Sequence, residues 1–268
     1  MRIALIPPTP ELPEMPLTGI HLILSHLLED DRYASFYTTR ALHGDYVILD
    51  NSAHEYGAGN KAEQLLAQCA AVFADEVVAP DVLFDANATV EASRSMFRYI
   101  DTHWEQYLIA NKPRLMLVPQ GTNRGEWVKS LHGLLRAWDV VLGSRDMEDP
   151  VIGVSKDYDS IVKGGITTLI KQYLEPMKAE VHCLGWPTNL WSLAKVMQEC
   201  PWVRSTDSAK PYVYAANEIL LEPGGSVPEY PRRAPDYFTK PLTDKQRKIA
   251  TRNVKVFQAA ALDMLILA

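Results

Sequence analysis

Three aspartates stand just after short β-rich runs: Asp50 in LDNSAHE, Asp81 in VAPD and Asp207 in RSTDSAKP. Between them, similar runs end in Gln120-Gly121, in Gly153-Val154-Ser155-Lys156 and in His182-Cys183-Leu184-Gly185-Trp186. Core strands have no structural need for acids and amides at matching ends. One such residue would be a cap or a turn; six sets in register point to a site. Carboxylates brought together cannot all stay ionised cheaply, so their pKa values separate. One can then act as nucleophile or base while another holds a proton, a division suited to transfer at an anomeric carbon. Gln120, with one acceptor and two donors, suits the edge of a heterocycle. Gly153 allows a ligand close to the backbone.

The elements that must position these residues alternate in type. Strand-like runs cover Ile3–Ile6, Tyr46–Leu49, Glu76–Ala79, Arg114–Val118, Val151–Val154, Glu180–Leu184 and Trp202–Ser205. Each is followed by a segment able to form a helix: Lys61–Phe73, Ala88–Ile109, Glu126–Trp138, Ser160–Leu174 and Asn189–Glu199 carry apolar residues at helical spacing. Parallel strands need crossover helices, and this alternation is their signature. Seven strands are clear and Tyr212–Ala215 is the candidate for the eighth. Strand counting alone leaves a doubly wound open sheet possible; polar residues at every strand end favour a (β/α)8 TIM barrel. The expectation is a single domain over 1–268, with an irregular Pro- and Gly-rich excursion at 221–242. A basic loop and terminal helix, 221–268, stay attached to it, the helix running over Thr243–Leu267 with Thr243 or Asp244 as N-cap.

With 268 residues the chain can bury a large core without staples. Three cysteines, Cys69, Cys183 and Cys200, have no CxxC spacing and suggest reduced thiols in the cytoplasm. No apolar run approaches a membrane span, and Pro7-Pro8 comes too early for a signal peptide. The net charge of −6 is unevenly spread. Residues 231–256 hold eight basic side chains, among them Arg232, Arg233, Lys245, Arg247, Lys248 and Arg252, against Asp236 and Asp244. Such a stretch is either a footprint for phosphates or a solvated helix face.

In order along the chain these motifs resemble the tRNA-guanine transglycosylases and their relatives that place 7-deazaguanines in phage DNA. LDNSAHE is similar to the family's Asp-Ser-Gly-Gly turn, which implies Asp50 as general acid/base and His54 at the position of an aromatic residue that stacks on the base. Asp81 in VAPD matches the acid that reads the guanine edge, Gln120-Gly121 the family's Gln-Gly, and Gly153 its base-contacting glycine segment. Leu184-Gly185 is similar to the Met-Gly on the other base face, and Asp207 to the nucleophile. The resemblance spans residues 45–211. It departs from the tRNA enzymes after Asp207, where no Cys or His remains for their zinc site. It therefore implies the short, zinc-free DNA branch, with the basic stretch contacting phosphates.

The implied reaction needs no cofactor: Asp207 attacks the sugar C1′, guanine leaves, and a 7-deazaguanine displaces the enzyme with Asp50 as base. DNA is the expected polymer partner, ahead of tRNA; oligomeric state is open. Duller readings stand beside each choice. Asp207 or Asp81 could cap a helix; His182-Cys183 could be an alternating strand pair; Trp186 could plug the barrel mouth rather than stack a base. His54-Glu55 lacks the HExxH context of a metal site. Lys156 could form a Schiff base in a lyase. A non-catalytic accessory barrel that binds nucleic acid is the alternative from another class; the discriminating feature is whether Asp50 and Asp207 face one pocket.

Overall fold

Eight parallel strands form one sheet: β1 Arg2–Leu5, β2 Ile20–Leu24, β3 Tyr46–Asp50, β4 Glu76–Val78, β5 Arg114–Leu117, β6 Val151–Ser155, β7 Val181–Leu184 and β8 Ser205–Ser208. The computed structural model describes residues 1–109, 112–186, 190–222, 231 and 233–261. Hydrogen bonding runs in the order β1-β8-β7-β6-β5-β4-β3-β2. β1 and β2 then pack side by side without a ladder between them, so the sheet curls into a nearly closed (β/α)8 barrel.

The helices, in chain order, are α1 Asp31–Leu42, α2 Ala53–Tyr56, α3 Ala62–Val72, α4 Ala86–Thr102, α5 Trp104–Ile109 and α6 Arg124–Leu142. They continue with α7 Tyr158–Ile161, α8 Gly165–Leu169, α9 Leu190–Glu199, α10 Lys210–Ala216 and α11 Asp244–Ala261. Two long helical runs expected from periodicity are broken. Ala88–Ile109 divides at His103. Ser160–Leu174 divides where Gly164 and Gly165 adopt φ of 90° and 70°, the left-handed region that a helix interior does not allow.

The eighth strand is not Tyr212–Ala215, which lies inside α10. Pro211 occupies the first turn of that helix, where its fixed φ and missing N–H fit. The missing strand is β2, IHLIL, buried at all five positions and lacking the alternation that marks a half-exposed strand. Asp50 therefore ends the third strand rather than the second, and each later strand moves up by one. β8 also starts later than expected, because Pro201-Trp202 forms a turn and Ser205–Ser208 makes the ladder. No α-helix follows β1: with Pro10 and Pro13 in it, Thr9–Glu14 makes only a 3-10 turn.

Period-two alternation decides what enters the barrel. Ala4, Ile20, Leu22, Ile48, Val78, Met116, Val118 and Val151 form an interior apolar cluster. Phe97, Trp127, Leu131, Ile152 and Cys183 belong to the larger core between sheet and helices. At the amino ends of the strands Glu76 is fully buried and receives a two-pronged ion pair from Arg204, at 2.7 and 2.9 Å. Tyr46 donates to the same carboxylate at 2.7 Å, and Glu180 pairs with Arg114 beside it.

The last helix begins with a reciprocal cap. Gln246 N–H donates to Thr243 Oγ1 at 3.3 Å, and Thr243 N–H donates to Gln246 Oε1 at 2.8 Å. Buried Asn253 ties α11 to the preceding chain through Leu221 N–H and the carbonyls of Pro211 and Ile219. Before the helix, the return segment lies over the top of β1. Tyr237 donates to Ile6 O at 2.6 Å, Phe238 O accepts from Thr9 N–H at 2.9 Å, and Leu242 N–H donates to Glu11 at 2.8 Å.

Candidate active site

A cavity of about 420 Å³ opens at the carboxyl ends of the strands, and all eight strands or the residues just beyond them line it. Ile6, Leu22, Leu24, Val78 and Val118 supply an apolar floor. Asp50, Asn51, Asp81, Gln120, Ser155, Lys156, Leu184, Gly185, Asp207 and Ser208 come from successive strand ends above it. The volume falls in the range of small-ligand pockets, which are about 300–1,000 Å³.

Asp50 and Asn51 are set by a tight turn. Ser52 N–H donates to Asp50 Oδ2 at 2.9 Å, and Ala53 N–H donates to Asn51 Oδ1 at 2.8 Å. Ser52 takes φ 61°, a conformation that costs a non-glycine residue roughly 1 kcal/mol or more. Its hydroxyl, held at 2.8 Å from both Ser25 Oγ and His26 Nδ1, keeps it there. Asp50 has little to stabilise a charge: burial first, then Glu55, Asp207 and Asp81, push its carboxyl well above the usual carboxylate range, against the single Ser52 hydrogen bond. These surroundings favour its protonated form.

Asp81 is built differently. Asn51 Nδ2 donates to its Oδ1 at 2.7 Å, and Gln120 Nε2 donates to its Oδ2 at 2.6 Å. Burial pushes its pKa up to about 6 in spite of these two donors. Gln120 is itself fixed by Phe84 N–H and the Tyr158 hydroxyl, at 3.2 and 3.3 Å on Oε1. The three side chains make a rigid polar edge on one side of the cavity.

Asp207 lies inside β8, with Ser205 on the same inward face. Its Oδ1 accepts from Gly185 N–H at 2.8 Å and sits 3.2 Å from His182 Nε2; Oδ2 accepts from no described residue. The helix-cap alternatives do not apply. Asp85 caps α4 through Ala88 N–H, and α10 has Ala209 as its N-cap, with no side-chain cap.

Three cations share this cavity with the acids. Lys210 was not singled out in the sequence, yet it is buried at 6 % exposure and lines the wall. Burial, with Lys156 nearby, lowers its pKa to about 7. The signal lay in KPYVYAA, a lysine opening an apolar run directly after a strand end. Lys156 sits against Gly185, whose absent Cβ would come within 3.3 Å of the lysine chain. Arg233 also lines the cavity while pairing with Glu55 at 2.9 Å. His54, on α2, lines the same cavity; partial enclosure, then the Lys156 ammonium, hold its imidazole below the usual range.

Two expected ligand contacts do not reach the cavity. A Cβ on Gly153 would meet Val118, Leu184 and Met116 at 2.9–3.0 Å, so that glycine makes room for these side chains in the barrel interior. A Cβ on Gly121 would meet Glu126 and Trp127 at 2.6 and 2.7 Å, so its role is to let α6 approach β5. Trp186 is fully buried and donates to Asp159 at 2.8 Å; it packs rather than lines.

The basic stretch finds its partners on the barrel. Arg247 pairs with Glu11 at 2.9 Å, Lys245 with Glu218, and Arg252 with Glu222 at 3.4 Å. Lys248 is exposed and has no ion pair among the described residues; Arg232 lies outside them. Part of the local positive charge is thus paired with acids of the body. Among the described residues no three His, Cys, Asp or Glu side chains are grouped to hold a metal, and no helix is long and apolar enough to cross a membrane.

The fold and this site define a (β/α)8 barrel whose cavity, at the carboxyl ends of the strands, is lined by the carboxylates of Asp50, Glu55, Asp81, Asp157 and Asp207. No family model matches the chain, and no curated protein matches it either.

Proposed function

We propose that the protein is a base-exchange transglycosylase that replaces guanine in DNA by a 7-deazaguanine through a glycosyl ester on Asp207. The observation that carries this reading is that Asp207 and Asp50 line one cavity of base-like size in different chemical settings. Asp207 has one oxygen anchored by donors and the other unengaged. Asp50 is enclosed so that it keeps a proton. In the first half-reaction an Asp207 oxygen forms a bond to C1′ as the C1′–N bond breaks, its electron pair leaving with guanine. Asp50 supplies the proton that guanine needs. In the second, Asp50 as carboxylate takes a proton from the incoming base, whose nitrogen bonds C1′ and releases Asp207. One glycosidic bond replaces another, so neither redox nor nucleotide hydrolysis is required.

The Asn51–Asp81–Gln120 edge, tied together by two hydrogen bonds, lines the cavity with amide and carboxylate groups suited to the edge of guanine. Lys156, Lys210 and Arg233 at the same cavity suit the phosphates beside a flipped nucleotide. The turn at Asp50-Asn51-Ser52-Ala53 keeps a left-handed residue where the similar family turn has glycine. The absent zinc cluster favours DNA over tRNA.

Trapping tests the reading: guanine-containing duplex DNA and, separately, tRNA are mixed with the protein and examined for a denaturation-resistant adduct. An adduct with DNA, lost in Asp207→Ala, is the expected result. An adduct with tRNA alone moves the substrate to RNA. No adduct, together with no entry of labelled guanine or 7-deazaguanine into either polymer, overturns the proposal in favour of a nucleic-acid-binding barrel.

A further inference from the structure

We infer that the barrel interior holds a proton-ordered column, Glu76–Arg204–Ser205–His182–Asp207, which fixes His182 as its neutral Nε2–H tautomer and leaves Oδ2 of Asp207 as the reactive oxygen. The column runs from the amino ends of the strands to the cavity, and its direction follows from counting hydrogens. Arg204 can only donate. Its terminal nitrogens are engaged by Glu76 at 2.7 and 2.9 Å, and its Nε donates to Ser205 Oγ at 3.1 Å. Ser205, fully buried, has a single hydroxyl hydrogen, and its other partner among the described residues is His182 Nδ1 at 2.8 Å.

Three proton arrangements exist for His182, and they differ in what happens to that hydrogen. With Nδ1 protonated, as the other neutral tautomer or as imidazolium, Ser205 Oγ receives donors from both sides. Its own hydrogen then has no acceptor in a fully buried place. A buried donor left unsatisfied costs about 1–3 kcal/mol. With Nδ1 bare, Ser205 donates to it and every hydrogen is placed. The ring proton then sits on Nε2 and points at Asp207 Oδ1, 3.2 Å away.

Asp207 Oδ1 thereby receives two donors, Gly185 N–H and His182 Nε2–H, while Oδ2 receives none from described residues. The anchored oxygen is the poorer nucleophile and the free one the better. His182 is thus a positioning residue: it touches the nucleophile and not the substrate. Within the proposed exchange, on which this last step rests, Oδ2 gives its lone pair to C1′ while the pair of the C1′–N bond leaves with the base. Oδ1 keeps its two hydrogen bonds throughout.

Long-range proton–nitrogen NMR of histidine-labelled protein reads the tautomer directly, and His182→Gln identifies the resonance. The expected result is an unprotonated Nδ1 and a protonated Nε2 at neutral pH. Ser205→Ala, which deletes only the hydroxyl, should keep the proton on Nε2, facing the Asp207 carboxylate, and move the Nδ1 resonance to that of a bare nitrogen without a hydrogen-bond donor. A protonated Nδ1 in the parent protein, or an Nδ1 resonance unmoved in Ser205→Ala, overturns the column. In base exchange, His182→Gln, which can keep a donor toward Asp207, should retain more of kcat than His182→Phe by at least about tenfold, with little change in KM. Equal loss in both variants would reduce His182 to a packing role. A correct tautomer in a protein without exchange activity would leave the column standing and remove the proposed reaction; the reverse pattern would remove the column alone.

Discussion

At the amino ends of the strands, fully buried Glu76 meets Arg204 through both oxygens and Tyr46 through a hydroxyl. At the carboxyl ends, Asp50 accepts one backbone hydrogen bond and faces Glu55, Asp207 and Asp81. Both ends bury acids within one barrel, but Glu76 is gripped by an arginine while Asp50, Asp81 and Asp207 have no arginine or lysine ion pair among the described residues. Matched charges hold geometry; unmatched ones store reactivity. The same scaffold can carry the second because the first, together with the interior apolar layer, keeps the strands in register.

The largest test breaks the reactive end. Asp207→Ala should lower exchange of labelled guanine into DNA by about 10⁴-fold or more while leaving the urea midpoint unchanged or raised. Loss of folding along with activity would blur the contrast between the ends. Next comes the matched end. Glu76→Gln takes the two-pronged partner from the buried Arg204 guanidinium and leaves it Glu180 alone, at 3.3 Å, and urea unfolding should show a loss of up to about 3–5 kcal/mol.

A smaller effect sharpens the comparison through pH. The folded-state pKa of Asp50 is raised above its unfolded value, so between the two the native state binds more protons. Its contribution to stability is whole below about pH 4, the unfolded carboxylate range, and fades as pH rises toward the folded value. Asp50→Asn removes that fading. The variant should gain stability relative to the parent as pH rises from 4 to 7, read from denaturant midpoints. Glu180, lowered chiefly by its Arg114 and Arg204 partners against the cost of burial, acts with the opposite sign and only at lower pH. The smallest expected effect is at the outer face: Arg252→Ala breaks an exposed pair with Glu222 and should cost about 0–1 kcal/mol.

The alternation of strand and helix was legible because it rests on local periodicity, and so were the strand ends that carry Asp50, Asp81, Gln120 and Asp207. β2 was not, because a strand buried on both faces shows no alternation. Tyr212–Ala215 misled for the complementary reason: an apolar aromatic run looks the same whether Pro211 opens a helix or a strand precedes it. Gly153 and Gly121 were visible as glycines, but whether the missing Cβ makes room for a ligand or for a neighbouring side chain depends on tertiary packing. Lys210 was hidden by its ordinary charge; only burial turns it into an amine that can be neutral near pH 7. The charge excess of residues 231–256 could not reveal its partners, since Glu11 and Glu55 lie far away in sequence.

The return segment over β1 bears on how the molecule is made. Tyr237 to Ile6 and Leu242 to Glu11 are contacts between residues 231 apart in sequence, laid beside the one strand boundary that has no ladder. During synthesis the first two strands must wait for almost the whole chain before that boundary is covered. Contacts of such high separation slow folding. The cavity therefore closes late, and a nascent chain stalled before residue 242 would expose the β1–β2 edge to chaperones rather than bind substrate.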